Sequence, residues 1–302
     1  MVSSFALVIA AWFFVPLEAR FVVPALVLLA SSAWLCAIIA HNALHAPVFF
    51  SRRANGLFQV AVTCLYGFPV SEYVPGHNLS HHRHLQKRAD SMRTTKTPFV
   101  RLNALNLLYF FPRVAFDVML QNRRYIASMS KKAPGWYRQL VTEAVACWGI
   151  KAVLLMVDWR RALLFVVLPH LWALYGITTV NLLQHDGCDE DHPVNHSRNF
   201  VGSWFNWFAF NNGFHGVHHE SPSLHWSLLP AAHRERFHGR VAPELEQRSL
   251  FEYMVRTYLM TGQRKRYDGT PIVNVEHLPD EDWTQGSSGD PHGHETRGAE
   301  IT

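Results

Sequence analysis

The sequence predicts an all-α integral membrane protein: about four transmembrane helices in two hairpins, with interfacial helices and a cytosolic, histidine-rich, metal-binding cap. Three observations carry this. Apolar residues gather into runs of membrane-spanning length. Charged residues, only 17% of the 302, gather between those runs. Nineteen histidines fall in a few tight clusters within short polar stretches.

The apolar runs come first. "FVVPALVLLASSAWLCAIIA" (21–40) and "ALLFVVLPHLWALYGITTVNLL" (162–183) each reach the roughly 20 residues that cross a bilayer as a helix. The run at 5–16 is shorter. With no basic segment before it and no small-residue cleavage site after it, it reads as a retained first helix turning at "LEAR" rather than a signal peptide. "LVTEAVACWGIKAVLLMV" (140–157) carries Glu143 and Lys151 and completes the second pair. The expected order is a hairpin over 5–45, an interfacial and cytosolic region over 46–138, a hairpin over 139–184 and a cytosolic cap over 185–260. These belong to one domain of residues 1–280, followed by a disordered tail over 281–302 that contains His292 and His294. The stretch "LFQVAVTCLYGFPV" (57–70) has a length typical of interfacial, re-entrant or buried segments and is expected not to cross.

Composition narrows the function. The four cysteines, Cys36, Cys64, Cys147 and Cys188, form no CxxC pair, which excludes a thiolate metal site and a disulfide scaffold. The net charge of +5 is better explained by anionic lipid and the positive-inside bias than by nucleic acid. Basic residues crowd into 83–138 and 234–266, whereas the short loops expected to face outward hold only Arg20, Arg160 and Arg161. The histidine-bearing face is therefore expected in the cytoplasm.

The histidines are the chemical signal. "HNALH" holds His41 and His45, and "GHNLSHHRH" holds His77, His81, His82 and His84. "NLLQHDGCD" holds His185, and "GFHGVHHE" holds His215, His218 and His219. On an α-helix, residues four apart lie about 40° apart around the axis and residues three apart about 60°. His41 and His45 then share a face, as do His77 and His81, while His82 points away toward a second ion. One such pair would be unremarkable, and "HNALH" is no zincin motif, because Asn42 stands where the glutamate is needed. Three clusters and the single His185 together make nine candidate ligands: His41, His45, His77, His81, His82, His185, His215, His218 and His219. That is too many for one tetrahedral zinc and suits two ions at four or five each. Imidazole alone does not name the metal.

The order HxxxH, then HxxxHH about thirty residues on, then HxxHH after a further hairpin, resembles the membrane fatty acid desaturase superfamily over roughly residues 30–235. The resemblance implies a non-haem centre of two Fe ions, with O2 as co-substrate, that attacks an unactivated C–H bond. It implies a ninth histidine at the end of the last span, with an asparagine four residues earlier holding a metal-bound water; His185 and Asn181 fit. It also implies an acyl tunnel beneath the metals, for which residues around 171–183 and 200–214 are the expected walls. No haem or iron–sulfur motif occurs, so the electron donor is expected to be a separate ferredoxin, rubredoxin or cytochrome b5 type protein with its reductase. Introduction of a double bond into a lipid, acyl-CoA or acyl-carrier substrate is the leading expectation. Hydroxylation, acetylenic bond formation and alkene-forming decarboxylation are the alternatives on the same scaffold.

Two readings from other classes compete. A metal transporter would place its ligands near mid-membrane rather than at helix ends. A metal-dependent hydrolase would need a carboxylate base, for which Glu220 and Asp186 are the nearest residues. Lys151 and His170, both at membrane depth, are expected to make a polar contact between helices.

Overall fold

The computed structural model describes residues 1–260, 263–273 and 278–284. The chain is mostly helical. A short α1 (Val2–Phe14) turns into the long α2 (Ala19–His45), and α3 (Arg52–Tyr66) returns along it. A brief α4 (Val70–Val74) runs directly into a π-helical turn, Pro75–His82. Then come α5 (Asn103–Lys132), α6 (Pro134–Ala162) and, after a second π-helical turn, α7 (Leu168–His185). The remainder is built of short pieces: α8 (Ser203–Phe208), α9 (His215–Glu220), α10 (Leu229–Arg236) and α11 (Leu250–Met254). One parallel pair of two-residue strands, β1 (Asn199–Phe200) and β2 (Glu246–Gln247), ties this cap together.

The number of spans differs from the expected four. Among the described residues, two helical segments are long and apolar enough to cross a membrane: Ala19–His45 and Pro134–His185. The physical reasons are local. Helix α1 has 13 residues, about 20 Å at 1.5 Å per residue, which falls short of the roughly 30 Å hydrocarbon core. The two later runs, expected as separate spans, belong to one helical segment of 52 residues. Its backbone leaves helical geometry at Asp158 (φ −153°, ψ 95°), whose carboxylate accepts from the amides of Arg160 and Arg161 and so restarts the helix at once. Arg161 reaches back to the carbonyls of Trp12 and Val15, stapling the end of α1 to this bend.

The apolar helices keep much of their hydrophobic surface outward. Phe13, Val27, Val153, Met156, Val157 and Trp172 are all more than half exposed. A contiguous apolar exterior of this kind needs a non-aqueous cover. Inward, α2 packs chiefly on α7. Gly176 allows the close approach, since a Cβ there would sit 2.7 Å from the Trp34 ring.

Helix α3 ends at Gly67, which adopts the left-handed conformation (φ +98°) that closes helices. Lys151 donates to the Gly67 carbonyl, and its ammonium lies over the Trp148 and Phe68 rings. His170 packs against the Gly67 backbone, where a Cβ would stand 2.2 Å from its ring. Lys151 and His170 thus both meet the α3 cap, Lys151 by a hydrogen bond and His170 by packing. Buried Glu143 accepts from the amide and hydroxyl of Ser71, fixing the start of α4.

Of the expected tail, only 281–284 are described; 285–302, with His292 and His294, lie outside the described residues. The segment 278–284 is docked. Asp280 pairs with Arg93 and Lys96, Glu281 with Arg88, and Trp283 is buried against Tyr125.

Replacing Gly67 with Ala should destabilise the chain by about 1–3 kcal/mol, from left-handed strain and the clash with His170. Thermal unfolding of the purified variant checks this; an unchanged midpoint would contradict the role given to this cap.

Candidate metal centre

Four elements bring the predicted histidines to one place. His41 and His45 lie in the last turn of α2, and His185 is the last residue of α7. The π-helical turn supplies His77, His81 and His82, and α9 supplies His215, His218 and His219. All nine fall into two groups, His41, His45, His77, His82 and His218 in one, and His81, His185, His215 and His219 in the other. Within each group the ligand atoms lie within 4.8 Å of one another.

This partition corrects the expected pairing of His77 with His81. Residues 75–82 are π-helical, so i→i+5 bonding aligns residues five apart. His77 and His82 therefore point together, their Nε2 atoms 3.1 Å apart, and His81 turns to the other group. In α9 the ordinary four-residue spacing holds: His215 and His219 meet at 3.1 Å, while His218 crosses to His82 at 3.2 Å.

The tautomers are set from outside. His81 Nδ1 donates to Asp90 at 2.8 Å with both side chains fully buried, so its Nε2, which has no hydrogen-bond partner, carries a bare lone pair. His185 Nδ1 donates to the His196 carbonyl at 3.2 Å, leaving Nε2 likewise bare and facing His215 at 2.8 Å and His219 at 3.1 Å. Lone pairs converging at such distances repel unless a cation lies among them. Neighbouring ring nitrogens 2.8–3.2 Å apart within each group can reach a common ion through bonds of about 2.1 Å. The donor set therefore fits two ions.

Burial pushes His77, His82, His215, His218 and His219 well below the ordinary histidine value, and the neighbouring rings push them further. These rings are neutral ligands at neutral pH. For Asp90, burial alone would raise the carboxyl, but His81 and the amides of Gln86 and Met92 hold it below its usual value.

Three supporting residues escape a motif search. Asp90 orients His81, as carboxylates commonly orient histidine ligands. Arg198, fully buried, donates to the carbonyls of Leu183 and Asp186 and lies over the Tyr253 ring, clamping the end of α7 beside His185. Asp186 is bound by Arg264 and Tyr258, which hold its carboxyl below its usual value despite the opposing effect of burial. The only signal for these residues was their lying close in sequence to a histidine cluster.

Asn181 belongs to neither group. Its Nδ2 donates to the Met92 carbonyl, and it lines a cavity of about 40 Å3 together with His41, His77 and His215. Ile177, Val180, Phe205 and Ala209 form apolar walls of that cavity, within the two stretches expected to supply them. Trp204 and Trp207 of α8 instead point outward, mutually stacked. His84, His192, His225 and His233 stand outside both groups.

The carboxylates a hydrolase would need are engaged elsewhere. Asp186 is saturated as described, and exposed Glu220 pairs with Arg236 at 3.2 Å. Ligands at the ends of α2 and α7, rather than at their middles, also disfavour transport.

Nine clustered imidazoles, seven buried and two half-buried, beside the ends of apolar helices define a membrane-associated metal-binding protein. The family model described as fatty acid desaturase matches residues 19–249, and the chain belongs to that family. It is an oxidoreductase acting on fatty acyl substrates. No curated protein and no solved structure matches the chain.

Asp90→Asn should lower metal affinity about 10–100-fold without unfolding the chain; metal content after dialysis against a weak chelator, alongside circular dichroism, checks this. Acidification should act on the metal-free protein too. Because the folded histidines titrate below their unfolded value, the unfolded chain binds protons first. Their stabilising contribution is complete above about pH 6.5 and is lost as pH falls toward the depressed folded values. The melting temperature of metal-free protein should therefore fall steadily below about pH 6.5; a flat profile would contradict the neutral-ring assignment.

Proposed function

We propose that the chain is an O2-dependent enzyme with two iron ions that introduces a double bond into a long acyl chain. The observation that carries this reading is that the small cavity against His41, His77 and His215 shares Tyr73, His77 and Met92 with the lining of an apolar groove of about 310 Å3. Five imidazoles on one ion and four on the other would leave coordination positions open, and the choice of iron follows the family to which the chain belongs. When bound, the iron pair supplies activation of dioxygen for removal of hydrogen from an unactivated C–H bond.

The protein's own residues do the rest. Asp90 and the His196 carbonyl hold His81 and His185 in the tautomer that presents Nε2 inward. Asn181, on the cavity wall, is assigned to hold a metal-bound water with its amide oxygen. Tyr73, Met92, Ile177 and Phe205 exclude bulk water and keep the chain beside His41, His77 and His215. A wall that fixes two adjacent carbons favours removal of two hydrogens over one removal followed by oxygen insertion, which leaves hydroxylation as the second reading.

The electrons are assigned to a separate ferredoxin, rubredoxin or cytochrome b5 type donor with its reductase. The protein is assigned to the membrane as a multi-pass protein with the histidine face in the cytoplasm, or on the inner-membrane cytoplasmic side in a bacterium, because basic residues crowd 83–138.

Expression in a lipid-producing host should yield acyl chains two hydrogens lighter by mass spectrometry, and the purified protein should carry about two iron per chain. His77→Ala and His215→Ala should each abolish the product and lower the iron content. Products that gain oxygen would mean a hydroxylase, a terminal alkene one carbon shorter would mean a decarboxylase, and one zinc with no iron would overturn the reading.

A further inference from the structure

The groove below the metal centre is not apolar throughout. Phe68, Tyr73, Phe111, Val118, Trp148 and Leu174 give it the walls expected for a hydrocarbon chain. Glu72 and Asn122 interrupt them from opposite sides, one on α4 and the other on α5. The two are joined: Asn122 Nδ2 donates to the Glu72 main-chain carbonyl at 2.9 Å. That bond fixes the amide's orientation, because the flipped form would set oxygen against oxygen. Asn122 Oδ1 is consequently left buried without a hydrogen-bond partner, in a residue only 2% exposed. No hydrogen bond or ion pair reaches the Glu72 carboxylate among the described residues, although Arg123 is near enough to act on it electrostatically. Burial pushes the Glu72 carboxyl up, and Arg123 draws it partly back.

Gly76 adds to the pattern. A Cβ there would stand 2.9 Å from Val118 and 3.7 Å from Asn122 Oδ1, so a larger residue would crowd this part of the groove wall. Leaving a buried acceptor unpaired costs about 1–3 kcal/mol, and a ligand that supplies a donor recovers it. Both groups are acceptors, so the complementary group is a donor. With Arg123 already beside the carboxylate, a second cation is opposed, which leaves a neutral donor.

We infer that Glu72 and Asn122 form a subsite for a neutral hydrogen-bond donor, a hydroxyl or an amide N–H, carried on the chain that occupies the groove. This rests on the assignment of the groove to an acyl chain and deepens it: the substrate is a functionalised lipid rather than a plain hydrocarbon tail.

The test is equilibrium binding of three radiolabelled probes of equal length to the full chain purified in detergent. Hexadecan-1-ol offers a hydroxyl, hexadecanamide an N–H, and 1-methoxyhexadecane only an acceptor. At least one donor probe should bind about tenfold or more tightly than the methoxy compound, the figure for one hydrogen bond to a charged or buried acceptor. The tighter of the two identifies the donor. Glu72→Leu and Asn122→Leu should each shrink that gap while binding of the methoxy probe holds or improves. Should either leucine variant fail to fold, Glu72→Gln keeps the shape, turns one acceptor into a donor, and should strengthen binding of the methoxy probe. Equal binding of all three probes to the unmodified chain, or a gap that survives at both positions, overturns the subsite and leaves the acyl groove standing. Binding of none of them overturns the groove's assignment itself.

Discussion

Everything in this molecule is arranged around one electrostatic constraint: nine imidazole rings are packed with their ring nitrogens turned toward one another. Rings this close cannot protonate without mutual repulsion, and they cannot be hydrated where they lie. Such an array is favourable only around cations. The ends of α2 and α7, the π-helical turn at Pro75–His82 and the short α9 are otherwise unrelated pieces of chain, and the array is what they have in common. Much of the remaining polar core, from Asp90 and the His196 carbonyl to Arg198, supports it.

How far the site could be read in advance follows from the periodicity of each element. His41 with His45, and His215 with His219, sit on α-helices, where four-residue spacing does put rings together. His77, His81 and His82 do not, because a π-helical turn widens the repeat by one residue, and nothing in "GHNLSHH" announces that change. The identity of the ligands was therefore visible and their division between ions was not. Asp90 and Arg198 were hidden for a different reason. Their importance lies in which carbonyl or ring nitrogen they reach, and these contacts depend on the fold. The spans show a similar limit. Apolar runs mark where helices are, but whether Val2–Phe14 is long enough, and whether two runs join into one segment at Asp158, depends on a few residues at their ends.

The placement of the centre at helix ends also separates catalysis from transport. A carrier has to hand its ion across the bilayer, whereas this array is anchored at helix ends, with His81 held by Asp90 and the residue after His185 held by Arg264. The cavity shared by His41, His77 and His215 instead lies among apolar walls, and Tyr73 and Met92 line both it and the groove. The metal-facing histidines thus meet the environment a lipid chain prefers. Glu143 and Lys151, which looked out of place in an apolar run, serve to hold the segment from Gly67 to Ser71 that turns α3 into α4 and so delivers His77.

The clamp at the end of α7 shows what this precision costs. Burying Arg198, Arg264 and Asp186 removes three charges from water, and ion pairs of that kind seldom add net stability compared with apolar packing. Their hydrogen bonds are nearly all made to one place, the last turn of α7 and Asp186, immediately beside His185. Stability alone would be better served by leucines. A ligand nitrogen, however, must be held within a few tenths of an ångström of its bonding position, and a helix terminus is where backbone geometry is loosest. A charged clamp with directional bonds fixes both the carbonyls of the final turn and the residue that follows it, which apolar contacts cannot do. The network is therefore best understood as rigidity supplied to His185, the ligand at the end of α7.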